Sequence, residues 1–279
     1  MKVIMFSFIL SLSLFANPLI IAHRGGTADA PENTLTSIKL SLKNKVDAVW
    51  ISVQMTKDKQ LALYRPSDLS ALTDSEGKIS DFTLKQLAQI QITKSKTIGS
   101  IFNDEFLYIP ALSEVLDKFP DTHFFIDLKS PDANDEEQAK ILLETLKQTE
   151  SLNRVRVYST NDDYILALSD EISRFVTRGQ TLKKLADVSL SHLCQQEEAQ
   201  DLYYGLEFQK TVELVEKFTL GEGITQSTLT WDKEAMDCFR QNGGKVILFG
   251  INDAQSYERA KDLKAYGVMV DSPQFFKDR

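Results

Sequence analysis

The chain has 279 residues, of which 42% are hydrophobic and 26% charged, with 12 Gly and 7 Pro. These proportions exclude a disordered, collagen-like or low-complexity chain, and the length suits one α/β barrel with a large core. A net charge of −8 excludes nucleic-acid binding through a broad basic surface, so an anionic ligand has to meet a local cluster of Lys and Arg. Only three histidines are present, His23, His123 and His192, too few for a His-rich metal site.

The chain opens with Met1-Lys2 and an apolar run, Val3 to Phe15, interrupted only by Ser7, Ser11 and Ser13, before Ala16-Asn17-Pro18. This is the pattern of a secretory signal peptide over residues 1–16, cut after Ala16, and it predicts a mature chain of 17–279 exported to a periplasm or secreted. A retained anchor or a buried first helix is the alternative. The run is shorter than the roughly 20 apolar residues that span a bilayer, so no stable membrane span is expected after cleavage. Cys194 and Cys238 can form one disulfide in an oxidising compartment. A thiol catalyst is not expected from either.

Beyond Pro18, short apolar, β-branched runs alternate with amphipathic stretches. Nine runs are strand-like: Leu19–His23, Ala48–Met55, Leu61–Arg65, His123–Lys129, Arg154–Ser159, Arg174–Arg178, Tyr203–Phe208, Lys245–Ile251 and Gly267–Asp271. Helical periodicity covers Thr34–Leu42, Leu112–Phe119, Asp135–Thr149 and Trp231–Gln241, the last ended by Gly243-Gly244. Such alternation implies parallel strands with crossover helices, and the expected fold is a single (β/α)8 TIM-type barrel. One of the nine runs must then be miscast or lie outside the barrel. The stretch from Pro66 to Ile109, after the third run, is the expected excursion from it.

In barrels of this kind functional residues gather at the C-terminal ends of the strands. His23-Arg24-Gly25-Gly26 closes the first run and Arg65 the third. Alternation along His123–Lys129 puts Asp127 and Lys129 on one face and Phe124, Ile126 and Leu128 on the other. With the apolar set against the helices, His23, Arg24, Arg65, Asp127 and Lys129 form a mostly cationic cup with one carboxylate, suited to a phosphate or phosphodiester. Singly, each has a structural reading: a hydrogen-bonded His, a surface Arg, an internal ion pair. Glu32, Asn33 and Thr34 can be simple helix-start chemistry. Their convergence on strand ends is what favours a site.

At these residues the sequence resembles the glycerophosphodiester phosphodiesterase family. Ile20-Ile21-Ala22-His23-Arg24-Gly25-Gly26 with Ala30-Pro31-Glu32-Asn33-Thr34 is similar to that family's AHRG…APENT segment. Asp47-Ala48-Val49 and Met55-Thr56-Lys57-Asp58 match its second-strand block, Ile109–Leu116 its IPTLEEVL, Phe125–Lys129 its IEIK and Gly267–Pro273 its closing GIITDxP. The resemblance runs from Leu19 to Pro273. It implies a phosphoric diester hydrolase of lipid metabolism, which releases glycerol 3-phosphate and an alcohol with a divalent cation and two histidines. By the same resemblance His23 and Arg24 are catalytic, Glu32 and Asn33 support the site, and Asp127 takes the place of a metal-binding Glu, while the charge of the cup suits Arg24, Arg65 and Lys129 to hold phosphate.

The family's Glu-x-Asp metal ligands, however, fall on Trp50 and Ser52, its second catalytic His on Arg65, and the following Asp on Pro66. Only Asp127 remains as a metal carboxylate, and Ca²⁺ or Mg²⁺ affinity falls steeply as ligand charge is removed. Arg65 cannot serve as a base at neutral pH. The nearest acids, Asp47, Asp58 and Asp68, have the wrong parity, distance or loop placement to rebuild the pair. The residues therefore call for no bound cofactor, with Ca²⁺ or Mg²⁺ expected only if the family's activity persists. Three readings follow. The first is a barrel that binds a glycerophosphodiester or glycerol 3-phosphate-like ligand through Arg24, Arg65 and Lys129 and has lost most hydrolysis, His23 being the residual acid or base. The second is a divergent active phosphodiesterase, and the third a non-catalytic interaction protein.

Overall fold

The structure is a computed structural model that describes residues 17–94, 97, 106–196, 198–218 and 221–279. The signal-peptide reading of residues 1–16 falls outside the described residues, as does part of the excursion. The elements in chain order are β1 Leu19–His23, α1 Leu35–Lys43, β2 Ala48–Met55, β3 Leu61–Leu63, α2 Leu84–Leu87, α3 Leu112–Lys118, β4 Phe124–Leu128, α4 Asp135–Gln148, β5 Val155–Ser159 and α5 Asp162–Leu166. They continue with α6 Arg178–Ser191, β6 Tyr203–Glu207, β7 Gln209–Phe218, β8 Gly221–Thr230, α7 Lys233–Phe239, β9 Lys245–Phe249, α8 Ala254–Asp262, β10 Gly267–Val270 and α9 Pro273–Phe276.

Seven strands form one curled parallel sheet in the order β5-β4-β2-β1-β10-β9-β6. Residues 173–176 close the gap between its two edges. Phe175 N donates to Val157 O at 2.9 Å on one side, and Val176 N donates to Tyr203 O at 2.9 Å on the other. The expected stave Arg174–Arg178 is thus a bridge of a few residues, and Arg178 already belongs to α6. The staves bury both faces, which is why they read as near-continuous apolar runs. Trp50, Phe125, Tyr158, Phe175 and Phe249 pack inside the barrel with Ile21, Ile247 and Met269. Phe124, Ile126 and Leu128 face outward against the helices, as the alternation requires.

The run Leu61–Arg65 is not a barrel stave. β3 pairs antiparallel with the end of β2, Val53 opposite Leu63 and Met55 opposite Leu61. Five residues, Thr56–Gln60, separate the two strands, and a parallel crossover needs a dozen or more. The edge is free because β1 stops at His23 opposite Trp50, while β2 runs on to Met55. The excursion beyond β3 has a small core of its own, including Tyr64, Leu69, Ile79, Leu87, Ile92 and Ile109.

A long antiparallel ribbon, β7–β8, is inserted after β6, with Gln209 opposite Thr230 at its base. Cys194, after α6, is bonded to Cys238 in α7 across 44 residues. No helix among the described residues is long and apolar enough to cross a membrane.

Candidate active site

The turn after β1 sets the first two site residues. Gly25 has φ +80, and a Cβ there would meet Ser37 Oγ at 2.4 Å, so only glycine lets the chain lie against α1. Thr34 caps α1 by accepting from Ser37 N, and Ser41 Oγ donates to Gly25 O at 2.6 Å. Arg24 and Asn33 both take positive φ in this turn, and Asn33 N donates to Arg24 O at 2.8 Å. Asn33 Oδ1 accepts from Ser52 N at 3.0 Å, which ties the turn to β2.

His23, Arg24, Trp50, Ser52, Arg65, Asp127 and Lys129 all line one cavity of about 290 Å³ at the C-terminal mouth of the barrel. The structure therefore brings the expected cup together, with Glu32 and Asn33 supporting it from behind. His23 Nδ1 lies 2.6 Å from Asp271 Oδ1, and Arg24 Nε donates to His23 Nε2 at 3.0 Å. A guanidinium only donates, so the ring proton sits on Nδ1 and faces Asp271. The hydrogen bond from His23 holds the Asp271 carboxyl down at about 2, outweighing its partial burial. Asn252 grips the same residue from β9's end, donating to Asp271 Oδ2 at 2.7 Å and accepting from Asp271 N at 2.8 Å. Arg24 NH1 forms a close ion pair with Glu32, so that guanidinium is largely committed within the protein.

Asp127 pairs with Ser52 and Tyr158 across the sheet and is buried. Lys129 Nζ is 3.2 Å from its Oδ1, within ion-pair range but off the line of a hydrogen bond, and Oδ1 has no donor. Burial pushes the Asp127 carboxyl up to about 6 against the attraction of Lys129 and the more distant Arg65. Lys129 also donates to Thr160 Oγ1 at 2.9 Å.

The cup holds more carboxylate than the single one expected. Glu207, closing β6, and Asp271, following β10, line it as well, together with Tyr158 and Arg178. Arg178 NH2 reaches both Glu207 oxygens at 2.8 Å, and its NH1 donates to Tyr158 Oη at 3.0 Å. Sequence reasoning missed these three charged residues although each is the last or next-to-last residue of a strand-like run, Arg174–Arg178, Tyr203–Phe208 or Gly267–Asp271. The strand-end rule applied evenly would have found them.

The divalent cation that the resemblance implies does not fit these donors. A hard cation needs several converging oxygens. The Trp50 indole occupies the cavity floor, wedged among Phe125, Tyr158, Phe175 and Phe249 at centroid distances of 5.1–5.9 Å. Asp47 accepts from Ile20 N at 2.7 Å, Asp58 from Thr56 and Leu84, and Asp68 from Ser70 N and Gly77 N, so none of the three nearby acids turns into the cup. Among the described residues no three His, Cys, Asp or Glu side chains converge on a point.

The profile of the Glycerophosphoryl diester phosphodiesterase family matches residues 23–275. An uncharacterized protein of Mycobacterium tuberculosis is 34% identical over 266 residues, covering 92% of this chain and 88% of that one. The glycerophosphodiester phosphodiesterase of Bacillus subtilis is 25% identical over 269 residues, covering 92% and 85%. The crystal structure of the glycerophosphoryl diester phosphodiesterase domain of the mycobacterial protein superposes with a TM-score of 0.86 at 33% identity, over 94% of this chain and 98% of that one. A phosphodiesterase of Oleispira antarctica, solved with the product sn-glycerol-3-phosphate, shares the fold at TM-score 0.68 and 22% identity, over 94% and 96%. With the barrel, the strand-end cup and these matches agreeing across almost all the described chain, this protein belongs to the glycerophosphoryl diester phosphodiesterase family.

Proposed function

We propose that the chain is a phosphoester-binding barrel of this family, taking a glycerophosphodiester or glycerol 3-phosphate-like ligand, in which metal-dependent hydrolysis is lost or greatly weakened. One observation carries the reading. Asp127, Glu207 and Asp271 in the cup are each engaged by a cationic or ionisable partner, Lys129, Arg178 or His23. Arg65 lines the same cavity and makes no hydrogen bond or ion pair among the described residues. A phosphodiester supplies the anion that Arg65 lacks, and a guanidinium matches its oxygens two at a time. The related barrel solved with sn-glycerol-3-phosphate supports this ligand class. The Cys194–Cys238 bond supports work in an oxidising compartment, consistent with export.

The test is release of glycerol 3-phosphate from glycerophosphocholine and glycerophosphoethanolamine with Ca²⁺, Mg²⁺ or EDTA, beside an active family member. No product is expected, while glycerol 3-phosphate raises the unfolding temperature saturably. Arg65→Ala should weaken that binding about ten- to a hundredfold, the loss of one charge-assisted contact. Metal-dependent turnover near the reference overturns the reading.

The His23–Asp271 pair favours a second reading, a divergent active phosphodiesterase in which an oriented imidazole moves the proton. It predicts turnover in EDTA that His23→Ala abolishes.

A further inference from the structure

Beside the cup lies a second, larger cavity of about 520 Å³, between the base of the β7–β8 ribbon and the start of α8. The two cavities share Glu207, Phe249 and Gly250. Gly250 puts no side chain between them, and a Cβ there would meet nothing within 4 Å. A phosphate seated at Arg65 has its second ester substituent to house, and this groove is the adjoining space.

The geometry points to a neutral, polyhydroxylated alcohol as that substituent; the inference rests on the phosphoester reading above. The groove holds two acids. Glu207 is clamped by Arg178 through both oxygens. Asp253 caps α8, accepting from Ser256 N at 2.8 Å and Ser256 Oγ at 3.0 Å. Arg259 lies along the wall with its guanidinium 5.1 Å from the Phe208 ring centre. Asp253 keeps its charge without a cationic partner among the described residues, but the Arg259 guanidinium on the same wall offsets it, so the groove offers a cationic alcohol no net attraction. An acyl chain finds only Phe208 and Phe249 as apolar walls. The side-chain amides of Gln209 and Gln255 and the Arg259 guanidinium make no hydrogen bond among the described residues. Planar donors and acceptors beside phenyl rings match hydroxyls and the C–H faces of a ring polyol.

Calorimetric titration of the mature chain in EDTA tests this with glycerol 3-phosphate, glycerophosphoinositol and glycerophosphocholine. The inositol diester should bind about tenfold more tightly than the choline diester, the worth of two net hydrogen bonds. Gln255→Ala with Arg259→Ala should bring the two diesters to within about twofold and leave glycerol 3-phosphate affinity unchanged. Binding of glycerol 3-phosphate with equal or better affinity for the choline diester overturns this inference alone. A double variant that keeps the full preference for the inositol diester overturns it as well. No binding by any of the three overturns the phosphoester reading and this inference with it.

Discussion

Lys129 Nζ stands 3.2 Å from Asp127 Oδ1 at the mouth of the barrel. The protein's own ammonium thereby supplies the positive charge beside this carboxylate. Asp127 is buried while Lys129 keeps partial contact with solvent, and the burial cost shows in the raised Asp127 carboxyl.

That carboxyl gives a pH signature. In the folded chain it titrates near 6, and unfolded near 3.8. Between those values the folded state holds more protons, so Asp127 makes stability fall as pH rises through the window. Asp127→Asn should flatten this slope in urea midpoints taken from about pH 4 to about pH 7. An unchanged slope would place the raised carboxyl elsewhere.

Asp271 has the opposite sign. Its folded value of about 2 lies below its ordinary 3.8. The stability it contributes is complete above 3.8 and is lost as pH falls toward 2. Circular dichroism during acid titration should show Asp271→Asn losing less stability across that interval than the parent. Equal losses would mean that the His23 contact contributes nothing to the fold.

Trp50 is 2% exposed and touches four aromatic rings on the barrel floor. Trp50→Ala should cost about 3–5 kcal/mol in denaturant unfolding, the usual penalty for emptying such a site. A cost below about 1 kcal/mol would show that the barrel interior collapses around the gap.

The Cys194–Cys238 bond closes a loop of 44 residues. Chain entropy sets its contribution at about 4 kcal/mol or less. Thermal unfolding with and without reductant should reveal a lower transition in the reduced chain, and Cys238→Ser should match it. Identical transitions would mean that the packing of α6 on α7 suffices without the bond.

The barrel was legible in the sequence because its staves are apolar on both faces: β1, β2, β4, β5, β6, β9 and β10 all lie within expected runs. The facing of Asp127 and Lys129 and the helix start at Thr34 were also legible, since each follows from local chemistry. The ribbon β7–β8 was not. Charged and polar residues alternate irregularly from Gln209 to Thr230, so no one-sided apolar stripe announces a strand. β3 has strand composition, but its direction is set by the short connection from Met55 rather than by its own residues. The Arg178–Glu207 clamp joins residues 29 apart in sequence, and no local pattern predicts such a contact.

The disulfide has a topological consequence. β6 and the whole β7–β8 ribbon lie inside the covalent ring that it closes. A single cut by a protease anywhere in the exposed ribbon leaves both fragments joined, with β6 still docked between β9 and residues 173–176. The nicked chain migrates as one piece until a reductant parts it, so the ribbon beside the cup can be clipped without the barrel coming apart.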